Sequence, residues 1–157
     1  MTNLDRDHRT MTVVSRVLVS APPDAVWRAL AALEAYPAWN PLILEARGRL
    51  APGERLWLRV RIGPLRLAIR PTVREVVPGA RLRWVGRFLH PALLEGDHQI
   101  ELHPLPGGRT QLVHAETLRG ALLPLASPLA RANARGFAEM DEALRRRVEA
   151  MHARVPA

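Results

Sequence analysis

With 157 residues, 48% of them hydrophobic and 24% charged, the chain has the size and composition of one globular domain, neither disordered nor built of membrane spans. All 23 basic residues are arginine, set against 15 acidic ones for a formal charge of +8, so lysine Schiff-base and lysine general-base chemistry are excluded. Cysteine is absent too, which removes disulfides, thiolate metal ligands and cysteine nucleophiles.

The positive field would attract phosphates and acidic surfaces. A chain rich in arginine, alanine and proline is also what a GC-rich genome writes on solvent-facing positions, and that reading is preferred. No apolar run nears the roughly 20 residues of a membrane-spanning helix. The polar start Met1 to Thr10 lacks the apolar core of a signal peptide. A cytoplasmic location and no transmembrane segment are therefore expected.

Residues 1–10 are expected to be flexible, 11–153 to form a single domain and 154–157 to fray. Met11 to Ser20 alternates as a strand. Pro22 and Pro23 cannot continue a central strand but suit a helix start, where Asp24 complements the unpaired N–H groups. Val26, Leu30 and Leu33 recur at helical spacing; Pro37 and Pro41 then allow only a short second helix over 34–39. Leu42 to Leu50 reads as a strand closed by Ala51-Pro52-Gly53-Glu54.

Leu56, Leu58, Val60 and Ile62 alternate with Arg55, Trp57, Arg59 and Arg61. The next strand is predicted over 65–74, with Pro71 marking an edge or a bulge. Leu82, Trp84, Gly86 and Phe88 alternate with Arg81, Arg83, Val85 and Arg87. Strands over 93–102 and 110–118 are joined by the Pro- and Gly-rich stretch 103–109, which predicts a hairpin. From Leu122 the period changes. Leu129, Asn133, Gly136, Phe137, Met140, Leu144 and Val148 lie three or four apart, the pattern of a long amphipathic helix whose irregular lead-in holds Pro124 and Pro128.

This order, with Ala21-Pro22-Pro23-Asp24-Ala25-Val26-Trp27, Tyr36-Pro37-Ala38-Trp39-Asn40-Pro41 and the closing Gly136 to Leu144, resembles the SRPBCC (START-related) superfamily over about residues 11 to 150. Within it the chain looks most like polyketide cyclase/dehydrase-type members. The resemblance implies an α+β helix-grip fold: a seven-stranded, curved antiparallel sheet around a long carboxyl-terminal helix, with two short helices between the first two strands. It also implies a buried pocket for an apolar or aromatic small molecule, of lipid, quinone or polyketide-like kind. Fold alone does not choose among the superfamily's carriers, receptors and cyclases.

Parity places polar groups inside. The strand over 93–102 turns Gly96, His98 and Ile100 inward, because the alternative face is too charged to bury, and the last strand turns Leu112, His114, Glu116 and Leu118 inward. Pairing Leu102 with Thr110 would set His98 opposite His114 and Gly96 opposite Glu116. Three roles fit His98, His114 and Glu116: a satisfied polar network under the helix, recognition of a ligand's polar end, or general acid/base catalysis by a histidine oriented by Glu116. Two histidines and a glutamate also match a metal's ligand count, but neighbouring strands splay them, so neither metal nor cofactor is expected.

Trp84 and Phe88 share the inward face, and Phe137 and Met140 that of the last helix; all four are core or pocket wall. Trp39 and Asn40 are expected at the mouth, Asn40 as a turn cap or a ligand contact. Trp57, among outer arginines, is expected to stack under a guanidinium or to anchor a partner. The leading reading is a binding module for a hydrophobic small molecule. A cofactor-free cyclase, dehydratase or isomerase is the alternative. Nucleic acid is disfavoured because no platform of several aromatics accompanies the arginines; a homodimer stays open.

Overall fold

The computed structural model describes the backbone of residues 2–7, 10–88, 90 and 92–154, and the side chains of 10–87, 90, 92–124, 128 and 131–154. Strand β1 (Thr2–Asp7) runs antiparallel to β2 (Thr10–Val19), with Leu4 opposite Val13. The stretch expected to be a flexible start thus holds an edge strand, hidden in the sequence because Thr-Asn-Leu-Asp-Arg-Asp is too polar to alternate. Helix α1 (Pro23–Ala31) starts on its proline, carries Asp24 in the first turn and buries Val26, Ala29 and Leu30. A 3-10 helix, Leu33–Ala38, follows with Pro37 inside it.

The remaining elements are β3 (Ile43–Arg47), β4 (Trp57–Ile62), β5 (Leu65–Ile69), β6 (Thr72–Val77), β7 (Arg81–Phe88), β8 (Leu94–Leu105), β9 (Arg109–Arg119) and α2 (Leu123–His152). Nine strands stand among the described residues where seven were expected. One extra is β1; the other arises because the predicted strand over 65–74 divides. Pro71, with no N–H for a ladder, marks the break: β5 pairs with β4, and β6 pairs with β7. The sheet therefore has two parts, in the orders β1-β2-β9-β8-β7-β6 and β3-β4-β5. They are stitched where Leu56 N–H donates to the Pro71 carbonyl at 2.9 Å and Val73 N–H to that of Glu54 at 2.8 Å.

The architecture is α+β, antiparallel sheets against a long carboxyl-terminal helix, as the family resemblance implied. Helix α2 presses Phe137, Met140, Leu144 and Val148 into the core, each at most 2% exposed. Pro128 lies inside this helix and not in an irregular lead-in. Gly136 has a clear reason to be glycine: a Cβ there would sit 2.6 Å from Leu42 Cδ1, so its absence lets α2 seat against the start of β3. Of the end expected to fray, Arg154 lies in a turn and 155–157 fall outside the described residues.

The β8–β9 hairpin differs from expectation in register. His98 faces Glu116, Ile100 faces His114 and Gly96 faces Leu118. The ladder continues to Leu105 opposite Arg109, leaving a tighter loop than the 103–109 stretch suggested. A slip by two residues keeps every side chain on its own face, so the three polar groups remain neighbours.

Candidate functional site

Between the two parts of the sheet and α2 lies a cavity of about 140 Å³. Its aliphatic wall comes from Leu58, Val60, Ile62 and Ile69 on β4 and β5; Trp84 and Phe137 add aromatic surface. Three polar side chains border it: His98 on β8, Glu116 on β9 and Asn133 on α2. The alternation of β8 and β9 aims the first two inward, and helical spacing puts Asn133 one turn before Phe137.

A hydrogen-bonded chain runs from this border into the core. His98 Nε2 lies 3.1 Å from His114 Nε2, and His114 Nδ1 lies 2.8 Å from Asp141 Oδ1. His114 is 0% exposed, Asp141 2% and His98 6%. With the Asp141 carboxylate as acceptor, His114 donates through Nδ1–H, and one proton serves the pair of facing Nε2 atoms. Among the described residues His98 Nδ1 has no hydrogen-bond partner and Asp141 Oδ2 is buried without one. The rings are fixed by stacking: His98 lies on Trp84 with centroids 4.3 Å apart at 8°, and His114 on Phe137 at 3.8 Å and 12°.

Burial and the adjacent His114 hold His98 well below the ordinary imidazole range. Glu116 moves the other way. Burial pushes its carboxyl up to about 7, against the opposing pull of His114 and of Asn133, whose Nδ2 donates to Oε2. Gly96 makes this placement of the acid feasible, since a Cβ at that position would meet Glu116 Oε1 at 2.9 Å. Folding thus favours a neutral imidazole beside a protonated carboxyl, the reverse of the same two groups in water near pH 5.5.

Of the candidate residues, His98, Glu116, Trp84 and Phe137 border the cavity. His114 stands behind His98 and does not line it. Its orienting carboxylate is Asp141, not Glu116. Met140 is core at 0% exposure. Asn40 caps the turn into β3, its Oδ1 accepting from the N–H groups of Leu42 and Ile43 at 2.9 and 2.8 Å. Trp39 packs edge-on against Tyr36, centroids 5.1 Å apart. Neither Trp39 nor Asn40 lines the cavity, and the side chain of Phe88 lies outside the described residues. Asn133 and Asp141 were missed as site residues, although 133, 137 and 141 share the four-residue step that marks one helix face. Among the described residues no three His, Asp or Glu side chains converge to hold a metal ion.

The outer face is counter-charged. Arg83 grips Asp97 through two bonds of 2.6 and 2.8 Å, Arg87 pairs with Glu95, and Arg81 with Glu75 and Glu101. Trp57 is stacked, but under Arg47, its cross-strand partner on β3, 5.2 Å from the ring centroid. Among the described residues no helix is long and apolar enough to cross a membrane.

Comparison with known proteins agrees with this architecture. A START superfamily protein from Mycobacterium smegmatis superposes with a TM-score of 0.69 at 23% identity, covering 89% of this chain and 98% of that one. The Zhui aromatase/cyclase from Streptomyces sp. R1128 gives 0.63 at 19% identity over 87% and 95%. A protein from Chromobacterium violaceum gives 0.60 at 26% identity over 88% and 96%. A search of curated proteins found no sequence match. Residues 10–155 match the family described as polyketide cyclase/dehydrase and lipid transport, and the chain belongs to that family.

Proposed function

We propose that this protein binds an apolar or aromatic small molecule, lipid, quinone or polyketide-like, between β4–β5 and α2, in the cytoplasm, with His98, Glu116 and Asn133 meeting its polar end. The observation that carries the reading is the character of the lining: aliphatic and aromatic side chains throughout, with three polar groups, His98, Glu116 and Asn133, at one border. At about 140 Å³ the cavity is smaller than the roughly 300–1,000 Å³ of pockets that enclose drug-sized ligands. It is close to the roughly 150 Å³ engineered cavity that accepts benzene. One ring or a short branched chain fits inside; a longer ligand extends past the rim. A thermal-shift screen with phenols, naphthols, quinones and fatty acids tests this: a ligand at a hundred times its Kd stabilises by about 2.7 kcal/mol. No shift, together with no co-purified small molecule in native mass spectra, overturns it.

A second reading, a cofactor-free cyclase, dehydratase or isomerase, is favoured by the Asp141–His114–His98 chain. His98 would exchange a proton with the ligand at Nδ1, with His114 and Asp141 as positioning residues. His98→Gln should then abolish turnover and leave binding in place. Turnover unchanged in that variant ends this reading.

A further inference from the structure

The arginines are not evenly compensated. Those of β7 have acidic partners, and Arg61 of β4 reaches α2, where its Nη2 meets Glu139 Oε2 at 2.7 Å. Arg66 and Arg70, directly across and beyond it, are exposed and have no ion-pair partner among the described residues. The same holds for Arg131 and Arg135 on α2. The β4–β5 turn abuts α2 beside Arg131: a Cβ on Gly63, in that turn, would stand 3.5 Å from Ala132 Cβ.

The same region exposes apolar side chains. Leu65 pairs with Ile62, and Leu67 with Val60; directly opposed residues share a sheet face, so both leucines continue the row that lines the cavity. Unlike Ile62 and Val60 they lie in the open, 45% and 39% exposed. Strand β5 is the last of its three-stranded sheet, an unpaired edge of the kind natural proteins normally protect.

We propose that the open edge of β5, with the facing part of α2, is a docking surface for an anionic lipid bilayer, approached edge-on: Leu65 and Leu67 enter the acyl boundary from the inner face of the strand, while Arg66 and Arg70, which alternation turns to its outer face, and Arg131 and Arg135 of α2 meet lipid phosphates. Both features are needed to choose this occupant. A second copy adding its own β5 edge would set Arg66 and Arg70 against the same residues of its partner, in a chain of charge +8. A nucleic acid would use the arginines and leave the leucines in water. A bilayer satisfies both and places the cavity rim against the phase where an apolar ligand is stored.

Flotation of the purified chain with phosphatidylcholine vesicles, with and without phosphatidylglycerol, tests the proposal. Binding is expected only with phosphatidylglycerol, and it should weaken with salt. The double variant Arg66→Gln/Arg70→Gln should bind about 30-fold more weakly, two charges each contributing about a factor of five. Leu65→Ser/Leu67→Ser should lose at least about tenfold. Both should keep the wild-type thermal midpoint because all four positions are exposed; if the leucine pair folds poorly, Leu65→Ser alone gives the same reading. The proposal fails if the wild type stays off anionic vesicles. It also fails if the leucine variant floats like wild type, the signature of a site for polyanions in general, which duplex DNA would then compete away. Flotation needs no ligand in the cavity, so its failure leaves the binding reading intact.

Discussion

The two walls of the cavity are built on opposite terms. Strands β4 and β5 contribute Leu58, Val60, Ile62 and Ile69, side chains that define volume and offer no hydrogen bond. Strands β8 and β9 contribute Leu94 and Leu118 but also His98 and Glu116, backed by His114 and Asp141. The first wall belongs to a short three-stranded sheet whose outermost strand is exposed; the second lies in the middle of a six-stranded one. On the second, the polar groups are hydrogen-bonded to one another, so its chemistry and its stability change together.

Breaking the polar wall should have the largest effect. Asp141→Ala leaves the His114 N–H with no acceptor at a fully buried site, a loss of about 3 kcal/mol in urea unfolding; a loss below about 1 kcal/mol would mean that His114 finds another partner. On the apolar wall, Val60→Phe should cost about 1–2 kcal/mol by overpacking while removing ligand-induced thermal shifts altogether. Retention of those shifts would place the ligand elsewhere.

Gly136→Ala probes the seam between the walls. Helix propensity alone would favour alanine by about 1 kcal/mol, but the 2.6 Å approach to Leu42 Cδ1 should turn this into a net loss of about 1–2 kcal/mol. The double variant with Leu42→Ala should show positive coupling in a mutant cycle. Strict additivity would separate the two positions.

The pH dependence sharpens the contrast further. Glu116 keeps its proton up to about pH 7 in the fold, against 4.5 for an ordinary glutamate, so its stabilisation is full below 4.5 and is lost as pH climbs through 7. His98, held below 6.5, contributes fully above 6.5 and loses that contribution as pH falls. Between those ordinary values the two slopes oppose each other. Glu116→Gln removes one of them, so the variant's stability should rise with pH across this window more steeply than that of the wild type. Parallel urea-midpoint curves would show that Glu116 titrates normally. The smallest effect belongs outside: Arg83→Gln breaks a half-exposed pair with Asp97 and should cost about 0.5 kcal/mol, less in high salt.

What the sequence disclosed follows the same division. Period-two alternation identified the inward faces of β4, β7, β8 and β9, because a face too charged to bury leaves one choice. Register was not legible: pairing His98 with His114 or with Glu116 satisfies the same pattern, and only the loop length separates them. Asp141 stayed hidden because an acidic residue in an amphipathic helix reads as solvent-facing unless its basic partner on another strand is known. The division of 65–74 was half visible, Pro71 marking an irregularity without saying that the chain changes sheets there.

Gly96 shows how a residue without a side chain governs a neighbour's acidity. Its bare Cα provides the space the Glu116 carboxyl occupies, and in that space the acid is dry enough to hold its proton near neutrality. An alanine there would displace the carboxyl by a few tenths of an ångström or more, toward water and an ordinary glutamate's behaviour. The ionisation of the cavity can therefore be set from a position that does not line it, and a survey of substituents at 96 would act as a graded control on the charge at its polar border.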